Sequence, residues 1–577
     1  MTDSQQPRPS RSRRRPIAYL VPALTLIGTT VVLARSHGIG AGRGYQEGDG
    51  RDSLRAVAFI EAVRSANPIV CEMTIRSLHF SGWAGHGWEI EDSQPFFPDS
   101  TSEEAVRWAT GHLSDQRIIA PLAAGLRDSV PCVRRTSAVL LGRTDHPDGV
   151  AALLGALESG SQDVQEAAVL GLGESSSKQA VTPLLRYLKN DSPRLRQLAA
   201  WALGQIDDVR AVPQLMESLR DRVPEVRRSA AFALGEIEDP KTVEALLLAL
   251  KDADVRVRRA AAHALGEIED ARAVPGLSAA LNDADIPVRR IAAWALGEIE
   301  DPSAVPALSE ALKSDDAELR LAAVHALGEI ESADAVGPLS AVLRDRRMDV
   351  RRAAVWALGE IEDARAVGAL IDVLKDPDVE VRTGAVQALG EIEDASAVEP
   401  LAQALKDEQA EVRRAAAWAL GEIEDGRAVE PLTGALRDED TEVRSNAVHA
   451  LGEIEDPASA EPLAGMLNDA SVEIRRGAAW AIGELEISRA PAALVSALRD
   501  ADREVRKNAA WALGEIEDPT VVPALVLLLK DADFEVREAA LRALGEIRTQ
   551  AALEAIADML RDPDPKIRAQ AADALGN

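Results

Sequence analysis

The chain has 577 residues with a formal net charge of −30 at pH 7, and 3% of its residues are aromatic. The acidic excess excludes a surface that follows nucleic-acid phosphates, because such a surface needs positive charge. The two cysteines, Cys71 and Cys132, have neither a zinc-ligand spacing nor the number that a disulfide framework needs, and the sequence leaves open whether they pair with each other. The charge suits solubility and a basic partner.

The first 35 residues combine a basic cluster with an apolar run. Five arginines lie between Arg8 and Arg15, and the 18 residues of 17–34 are uncharged. This run is long enough to anchor the chain in a membrane, and the same layout fits a cleaved signal peptide. Both interpretations place the rest of the chain outside the cytoplasm, because the arginines stay inside. The alternative is a basic tail with a fortuitous apolar stretch.

Residues 36–52 are polar and rich in glycine, which predicts a flexible linker. Residues 53–100 begin with helical spacing and end in an aromatic loop that contains Trp83, Trp88 and Phe96. We expect this segment to cap the exposed end of the structure that follows. The alternative is that the aromatic loop contacts a ligand.

One unit repeats through residues 101–577. A glycine recurs every 31 residues at sixteen positions, from Gly111 through Gly421 to Gly576. A constant period of this size indicates a solenoid, in which each unit buries its apolar face against its neighbours. Such a chain offers an extended surface, so binding is the default function.

The copy at residues 394–424 shows how the unit folds. Ser396 and Glu399 have the spacing of a capping box. An apolar stripe then predicts a first helix, and residues 411–423 predict a second helix, which makes an αα-hairpin. We expect Gly421 to admit a neighbouring backbone and Asp425 to cap the next hairpin. The stripe consists of Val398, Leu401, Ala402 and Leu405.

The second helix carries the string Val-Arg-Arg-Ala-Ala at 412–416 and Ala-Leu-Gly at 419–421, with Asp407 ahead of Arg413. These strings resemble the HEAT-like repeats named after phycobilin lyases. The resemblance implies an all-α fold, an α-solenoid of the armadillo/HEAT type, with fifteen complete hairpins in a right-handed superhelix. It also implies that the aspartate and the first arginine tie successive repeats together. The expected pairs are Asp252 with Arg258, Asp376 with Arg382 and Asp531 with Arg537.

One side of the second helix points away from the apolar arc. Arg414 and Trp418 lie there on a helical wheel, and the resemblance implies that this side lines a concave surface. Because residues four apart on a helix touch, we expect each guanidinium to lie over the indole ahead of it. The Arg-Trp pair recurs every 62 residues as Arg290/Trp294, Arg352/Trp356, Arg414/Trp418 and Arg476/Trp480, and the tryptophan position also holds Trp201, Trp511, His263, His325 and His449.

We predict that this row binds a protein or peptide partner, so that the protein is a scaffold or receptor. The competing interpretation is that a duplicated two-repeat block uses tryptophan only to fill space between repeats. A third is self-association of the chain. Membrane contact is expected only through the N-terminal segment.

An enzyme of the bilin-lyase or deoxyhypusine-hydroxylase type is the alternative function. The resemblance to the hydroxylase implies adjacent His-Glu pairs as iron ligands, but the matching positions hold Arg-Arg, as at Arg413 and Arg414. His263, His325 and His449 each precede a glutamate by four residues. Two repeats separate His263 from His325, about 20 Å for helices stacked at about 10 Å, so they cannot share an ion. We therefore assign no catalytic residue, metal ligand or cofactor.

Overall fold

The computed structural model describes residues 116–144 and 146–576. The predicted N-terminus (1–35), linker (36–52) and cap (53–100) lie outside the described residues and stay predictions, and so does any role of Cys71. Among the described residues, no helix combines the length and the apolar character needed to cross a membrane. The chain divides into two compact units, one ending at Ala233 and the other beginning at Leu234.

The first unit is a series of antiparallel helix pairs. Short 3-10 turns at Gln116–Ile118 and Val209–Ala211 precede two of its helices, and the helix Pro224–Glu236 contains the boundary with the second unit. The other α-helices of this unit are Ile119–Gly125, Pro131–Gly142, Pro147–Leu157, Gln162–Glu174, Val181–Tyr187, Pro193–Ile206 and Val212–Ser218.

The second unit repeats a short first helix, here called helix A, and a longer second helix, helix B. The A helices are Val243–Ala249, Val274–Ala280, Val305–Ala311, Val336–Val342, Val367–Asp372, Val398–Ala404, Val429–Ala435, Ala460–Met466, Ala492–Ala497, Val522–Leu528 and Gln550–Met559. The B helices are Val255–Glu267, Ile286–Glu298, Ala317–Glu329, Met348–Ile361, Val379–Glu391, Ala410–Glu422, Thr441–Glu453, Val472–Glu484, Arg503–Glu515, Phe534–Ile547 and Pro565–Gly576. The described residues of the whole chain form only helices and their connections, so the predicted all-α solenoid of 31-residue hairpins is confirmed.

Most A helices of the second unit are preceded by a 3-10 turn. These turns are Pro240–Thr242, Ala271–Ala273, Pro302–Ala304, Ala333–Ala335, Ala364–Ala366, Ala395–Ala397, Gly426–Ala428, Pro457–Ser459 and Pro519–Val521, and one more, Val373–Lys375, follows a helix A. The capping box predicted at Ser396 does not form. Instead, the carboxylate of Asp394 accepts a hydrogen bond from the Ser396 amide at 2.8 Å, so aspartate caps the turn. The cap predicted at Asp425 is confirmed, because its carboxylate accepts from the Arg427 amide at 2.9 Å.

A glutamate ends most repeats in a left-handed backbone conformation. Glu424 has a φ of 50°, between the end of helix B and the capping Asp425. Left-handed backbone favours glycine, because a side chain at this φ crowds the neighbouring carbonyl. The sequence period did not reveal this feature. The same conformation occurs at Glu238, Glu269, Glu300, Glu331, Glu362, Glu393, Glu455 and Glu517.

Alanine, leucine and valine build the core, and the repeated glycine closes the contact between B helices. The predicted stripe of helix A is buried at Val398, Leu401, Ala402 and Leu405. A Cβ added to Gly421 would lie 2.9 Å from the Cβ of Ala450 and 3.0 Å from its Cα. Gly421 therefore allows the next helix B to approach, as the sequence predicted.

A ladder of arginine–aspartate pairs joins successive repeats. The Nε and Nη2 of Arg413 donate to the two carboxylate oxygens of Asp438 in the next repeat, at 2.7 and 2.9 Å. Its Nη1 donates to the main-chain oxygen of Asp407 in its own repeat at 3.0 Å. The same bidentate pairs are Arg196–Asp221 in the first unit and Arg258–Asp283, Arg320–Asp345, Arg351–Asp376, Arg382–Asp407, Arg444–Asp469, Arg475–Asp500 and Arg506–Asp531 in the second.

This geometry corrects the pairs expected from the sequence. Arg258 donates to the main-chain oxygen of Asp252 at 2.9 Å, whereas the carboxylate that it binds belongs to Asp283. Arg382 binds Asp376 and Asp407 in the same two ways. The tie between repeats is therefore made to the aspartate one repeat later, 25 residues after the arginine.

The ladder is interrupted at Arg289. Ser314 stands where the other repeats of the second unit have aspartate, and the Nε of Arg289 in the preceding repeat is buried without a hydrogen-bond partner. Ser314 keeps the local role of the aspartate, because its hydroxyl accepts from the Asp316 amide at 3.2 Å. Serine has a hydroxyl in place of the carboxylate, so its side chain is uncharged and cannot neutralise the guanidinium of Arg289.

Ser314→Asp is expected to raise the free energy of unfolding by about 1–3 kcal/mol, because it supplies a charged acceptor to a guanidinium that is already in place. Thermal unfolding followed by circular dichroism checks this result. Ser314→Asn is the control, since it adds similar volume without charge. Equal melting temperatures for the two variants would contradict the explanation.

Candidate binding face on the second helices

The candidate site is the side of the B helices that points away from helix A. In one repeat it carries Met348, Arg352, Trp356 and Glu360, which are four residues apart and follow one another along the helix. We call the equivalent positions of the B helices from Val255–Glu267 to Arg503–Glu515 the helix-B face. Trp356 and the other predicted tryptophans are half-buried, so each indole keeps part of its surface open to solvent.

Each tryptophan of this face packs over the repeated glycine of the preceding repeat. A Cβ added to Gly328 would lie 2.7 Å from the Cζ3 atom of Trp356, and one added to Gly390 would lie 3.0 Å from that of Trp418. The glycine thus leaves a slot for one edge of the indole. The same arrangement occurs for Trp294 over Gly266, Trp480 over Gly452, Trp511 over Gly483 and, in the first unit, Trp201 over Gly173.

The histidines predicted in this row lie against the tryptophans of the following repeat. His325 and Trp356 have ring centroids 5.4 Å apart, with an interplanar angle of 44°. The centroids of His263–Trp294 and of His449–Trp480 are each 4.9 Å apart. These ring pairs were not predicted, although both residues occupy one register position in consecutive repeats. That shared position was the signal that could have revealed them.

The predicted stacking of arginine on tryptophan within a repeat is not the observed arrangement. Arg352 donates to the carboxylate of Asp378 in the next repeat at 2.9 and 2.7 Å, and it forms a further ion pair with Glu380. Arg414 likewise donates to the carboxylate of Asp440. Arg290 with Asp316 and Arg476 with Asp502 complete this second set of pairs. An aspartate 26 residues after each arginine was the available sequence signal.

These pairs neutralise the arginines of the face. The guanidinium of Arg352 lowers the pKa of Asp378 to about 2, so the carboxylate stays ionised at neutral pH. Because the same aspartate accepts from the Val381 amide at 3.1 Å, it also caps the next helix B. The positive charges of the row are thus committed to contacts between repeats.

Three glutamates at the ends of successive B helices have no such partner in the described part of the chain. Glu329, Glu360 and Glu391 follow the repeated glycine and are exposed. Partial desolvation and then repulsion from four neighbouring glutamates raise the pKa of Glu329. The pKa of Glu391 is raised by the same two causes, with Glu360 and Glu362 as neighbours. The helix-B face therefore carries uncompensated negative charge beside its aromatic row.

The two directions of pKa shift predict how stability depends on pH. Glu329 and Glu391 have raised pKa values, so their repulsion is relieved as the pH falls from neutral toward the ordinary glutamate value of about 4.3. Asp254 and Asp378 have pKa values lowered to about 2, and their contribution is lost as the pH falls from about 3.9 through that value. The carboxylates should therefore make melting temperatures rise on mild acidification and fall below about pH 4, and His325, whose pKa burial lowers, opposes the rise below its ordinary value of about 6.5. The triple variant Glu329→Gln/Glu360→Gln/Glu391→Gln should show a smaller initial rise.

The histidines of the face do not assemble a metal site. Residues 116–144 and 146–576 contain no group of three or more His, Cys, Asp or Glu side chains that could hold an ion. His263 lies 3.6 Å from Glu267 and His449 lies 3.4 Å from Glu453, which are pairs only. Burial lowers the pKa of His325, so this ring is uncharged at neutral pH.

A family model described as HEAT repeats matches residues 150–231, 217–285, 274–349, 338–414, 398–483, 466–529 and 491–576. The chain belongs to the HEAT repeat family. The matched HEAT repeats contain every site residue predicted from the sequence. No curated protein matches the chain.

Several solved structures are similar to the chain at low sequence identity. The structure of Kap95p with RanGDP is 15% identical, with a TM-score of 0.51 over 91% of this chain and 83% of that chain. Importin beta, crystallised in ammonium sulfate, is 15% identical, with a TM-score of 0.44 over 80% of this chain and 79% of that one. The complex of CpcE and CpcF of phycocyanin lyase from Nostoc sp. PCC7120 is 26% identical over 38% of this chain and 92% of that chain, with a TM-score of 0.25. The likeness to Kap95p concerns the fold alone.

Proposed function

We propose that this HEAT repeat protein is a scaffold or receptor that binds a protein or peptide along the helix-B face. The observation that supports the proposal is the row of half-buried indoles on one face, which recurs at every second repeat from Trp294 to Trp480 and has a further member, Trp511, in the next repeat. Tryptophan is enriched at the centre of protein interfaces, where it offers a large rigid surface. Kap95p, which has a similar fold, binds a protein, RanGDP.

Packing between repeats does not by itself require the tryptophans. The three atoms nearest to a Cβ added at Gly297 all belong to Ala326 of the next repeat, and those nearest to a Cβ added at Gly421 all belong to Ala450. Both contacts between B helices form without an indole. In the repeats that contain Ala326 and Ala450, the tryptophan position holds His325 and His449. The B helices therefore approach equally closely with and without an indole, so tryptophan adds surface to the face rather than closing it.

Trp356→Ala combined with Trp418→Ala is expected to abolish capture of the partner, because it removes two neighbouring anchors. Affinity capture from an extract of the source cells, followed by mass spectrometry, identifies what the wild-type chain retains. The control is Leu248→Ala combined with Leu527→Ala, which removes exposed apolar surface from A helices of the same unit. It should leave capture unchanged.

Folding of the tryptophan variant is measured separately by thermal unfolding. Because the indoles are half-buried, we expect a moderate fall in melting temperature with the helical content preserved. A large fall in melting temperature with partner capture intact would instead favour the interpretation that tryptophan only packs repeats together.

A further inference from the structure

The charges beside the aromatic row restrict what can occupy it. The four arginines that lie four residues before a tryptophan form ion pairs with aspartates of the next repeat, so they offer little charge to a partner. The carboxylates of Glu329, Glu360 and Glu391 are exposed, and their charge is not balanced by arginine. A partner that covers the indoles must therefore also meet these carboxylates.

We propose that the occupant of the helix-B face is an extended, lysine- and arginine-rich segment of a partner protein. This inference rests on the proposed function and specifies the chemistry of the partner. Its cationic side chains would lie over the exposed indole surface, where cation–π attraction contributes about 0.5–2 kcal/mol each. They would also form ion pairs with the glutamates of the same helices.

The positions of the side chains suit this double contact. Trp356 and Glu360 are four residues apart on one helix, so they are neighbours on its surface. In the next repeat, Glu391 reaches back across the face. Its Oε2 lies 2.7 Å from the Cβ position of Gly359, between Trp356 and the following Trp418 in the order of repeats. Carboxylates of every repeat thus border the indoles, which recur at every second repeat.

The distance between successive tryptophans predicts how far apart the contacting residues of the partner lie along its chain. Repeats stacked at about 10 Å place the tryptophans from Trp294 to Trp480 about 20 Å apart, because these recur at every second repeat. An extended chain advances about 3.3 Å per residue, so about six residues separate successive anchors.

Other possible occupants of the helix-B face conflict with its negative charge. Nucleic acids and anionic membrane surfaces would be repelled by the glutamates, and so would a second copy of a chain with a net charge of −30.

The test is direct binding of labelled peptides to the full chain. The probe is a Gly/Ser peptide with arginine at about every sixth position. The control peptide carries glutamate at the same positions. Fluorescence anisotropy at about 50 mM and about 500 mM NaCl measures affinity and its salt dependence. The arginine peptide should bind and weaken with salt, whereas the glutamate peptide should not bind. Equal binding of both peptides would overturn the inference.

Two matched variants locate the contact. Glu329→Gln/Glu360→Gln/Glu391→Gln should weaken binding of the arginine peptide at least about tenfold. Glu399→Gln/Glu430→Gln/Glu461→Gln changes the charge equally on exposed positions of A helices and should leave binding unchanged. The same weakening in both variants would overturn the inference, since net charge alone would then explain the binding.

Capture of the natural partner by the two sets of variants tests the basic segment and the proposed function separately. If the partner is retained by the Glu329→Gln/Glu360→Gln/Glu391→Gln variant but lost with Trp356→Ala/Trp418→Ala, the face binds protein without using its charge. That outcome rejects the basic segment and leaves the proposed function. If the tryptophan variant also retains the partner, the proposed function fails as well.

Discussion

Arg413→Ala is expected to lower the free energy of unfolding by about 3–5 kcal/mol, because removing one partner of a buried pair leaves the other charge uncompensated. The side chains of Arg413 and Asp438 are 11% and 13% exposed, and their groups are 2.7 Å apart. Burial raises the pKa of Asp438, but hydrogen bonds from Arg413 and from the Asp440 amide outweigh it and lower the pKa overall. The carbonyl of Asp407 loses a donor as well.

Arg289→Ala is the matched control within the same chain. Arg289 occupies the equivalent position, but Ser314 replaces its aspartate and its Nε has no hydrogen-bond partner. The substitution therefore breaks no ion pair, and we expect a loss of about 1 kcal/mol or less. Equal losses for the two variants would show that the arginines act through packing of their side chains rather than through the ladder.

The measurement has to resolve single repeats. The stability of a repeat array is approximately a sum of repeat and interface contributions, so its unfolding is not always a single transition. Hydrogen exchange of the helices Ala410–Glu422 and Val429–Ala435 reports the local loss directly. Arg413→Ala should reduce protection in these two helices more than in helices several repeats away.

Most of the fold could be predicted from the 31-residue period. The apolar stripe at Val398, Leu401 and Leu405 located helix A, and the predicted helix B at 411–423 is observed at Ala410–Glu422. Both follow from local periodicity, which one repeat contains in full. The close approach at Gly421 was also predictable, because glycine inside a helix indicates a tight contact.

Contacts between repeats were predicted less well. The helical wheel of one repeat places Arg414 beside Trp418, but it does not include the N-terminus of the next helix B, where Asp440 lies. A bidentate carboxylate is a stronger partner for a guanidinium than the face of an indole, so the arginine crosses to the next repeat. The offset between stacked helices decides this choice, and the sequence of one repeat does not specify that offset.

The candidate site was predicted as a set of positions rather than as an arrangement. Trp356 and His325 were both assigned to the row, but their contact depends on the stacking of two repeats. The glutamates beside the row were not predicted as part of the site, because a glutamate follows the repeated glycine whether or not the repeat carries a tryptophan. Their significance emerges only when Glu329 and Glu391 are seen beside the indoles while the arginines are bound elsewhere.

Gly421→Val is expected to lower the free energy of unfolding by about 3 kcal/mol or more, because it inserts a branched side chain where even a Cβ does not fit. That Cβ would lie 2.9 Å from the Cβ of Ala450 and 3.0 Å from its Cα. The neighbour is another helix backbone, which cannot yield as a flexible side chain would. Gly434→Val in the adjacent helix A, where nothing lies within 4 Å of the added Cβ, should change stability little.

Alanine at the same two glycines separates packing from helix propensity. Alanine favours a helix over glycine by about 0.8–1.0 kcal/mol, so Gly434→Ala should stabilise the chain. At Gly421 the same gain is opposed by overpacking of about 1–3 kcal/mol, so Gly421→Ala should destabilise it. Opposite signs for one substitution in neighbouring helices would exclude an effect of the unfolded chain, which is the same for both. Stabilisation at both positions would mean that the B helices can move apart, and the repeated glycine would then not be what sets their spacing.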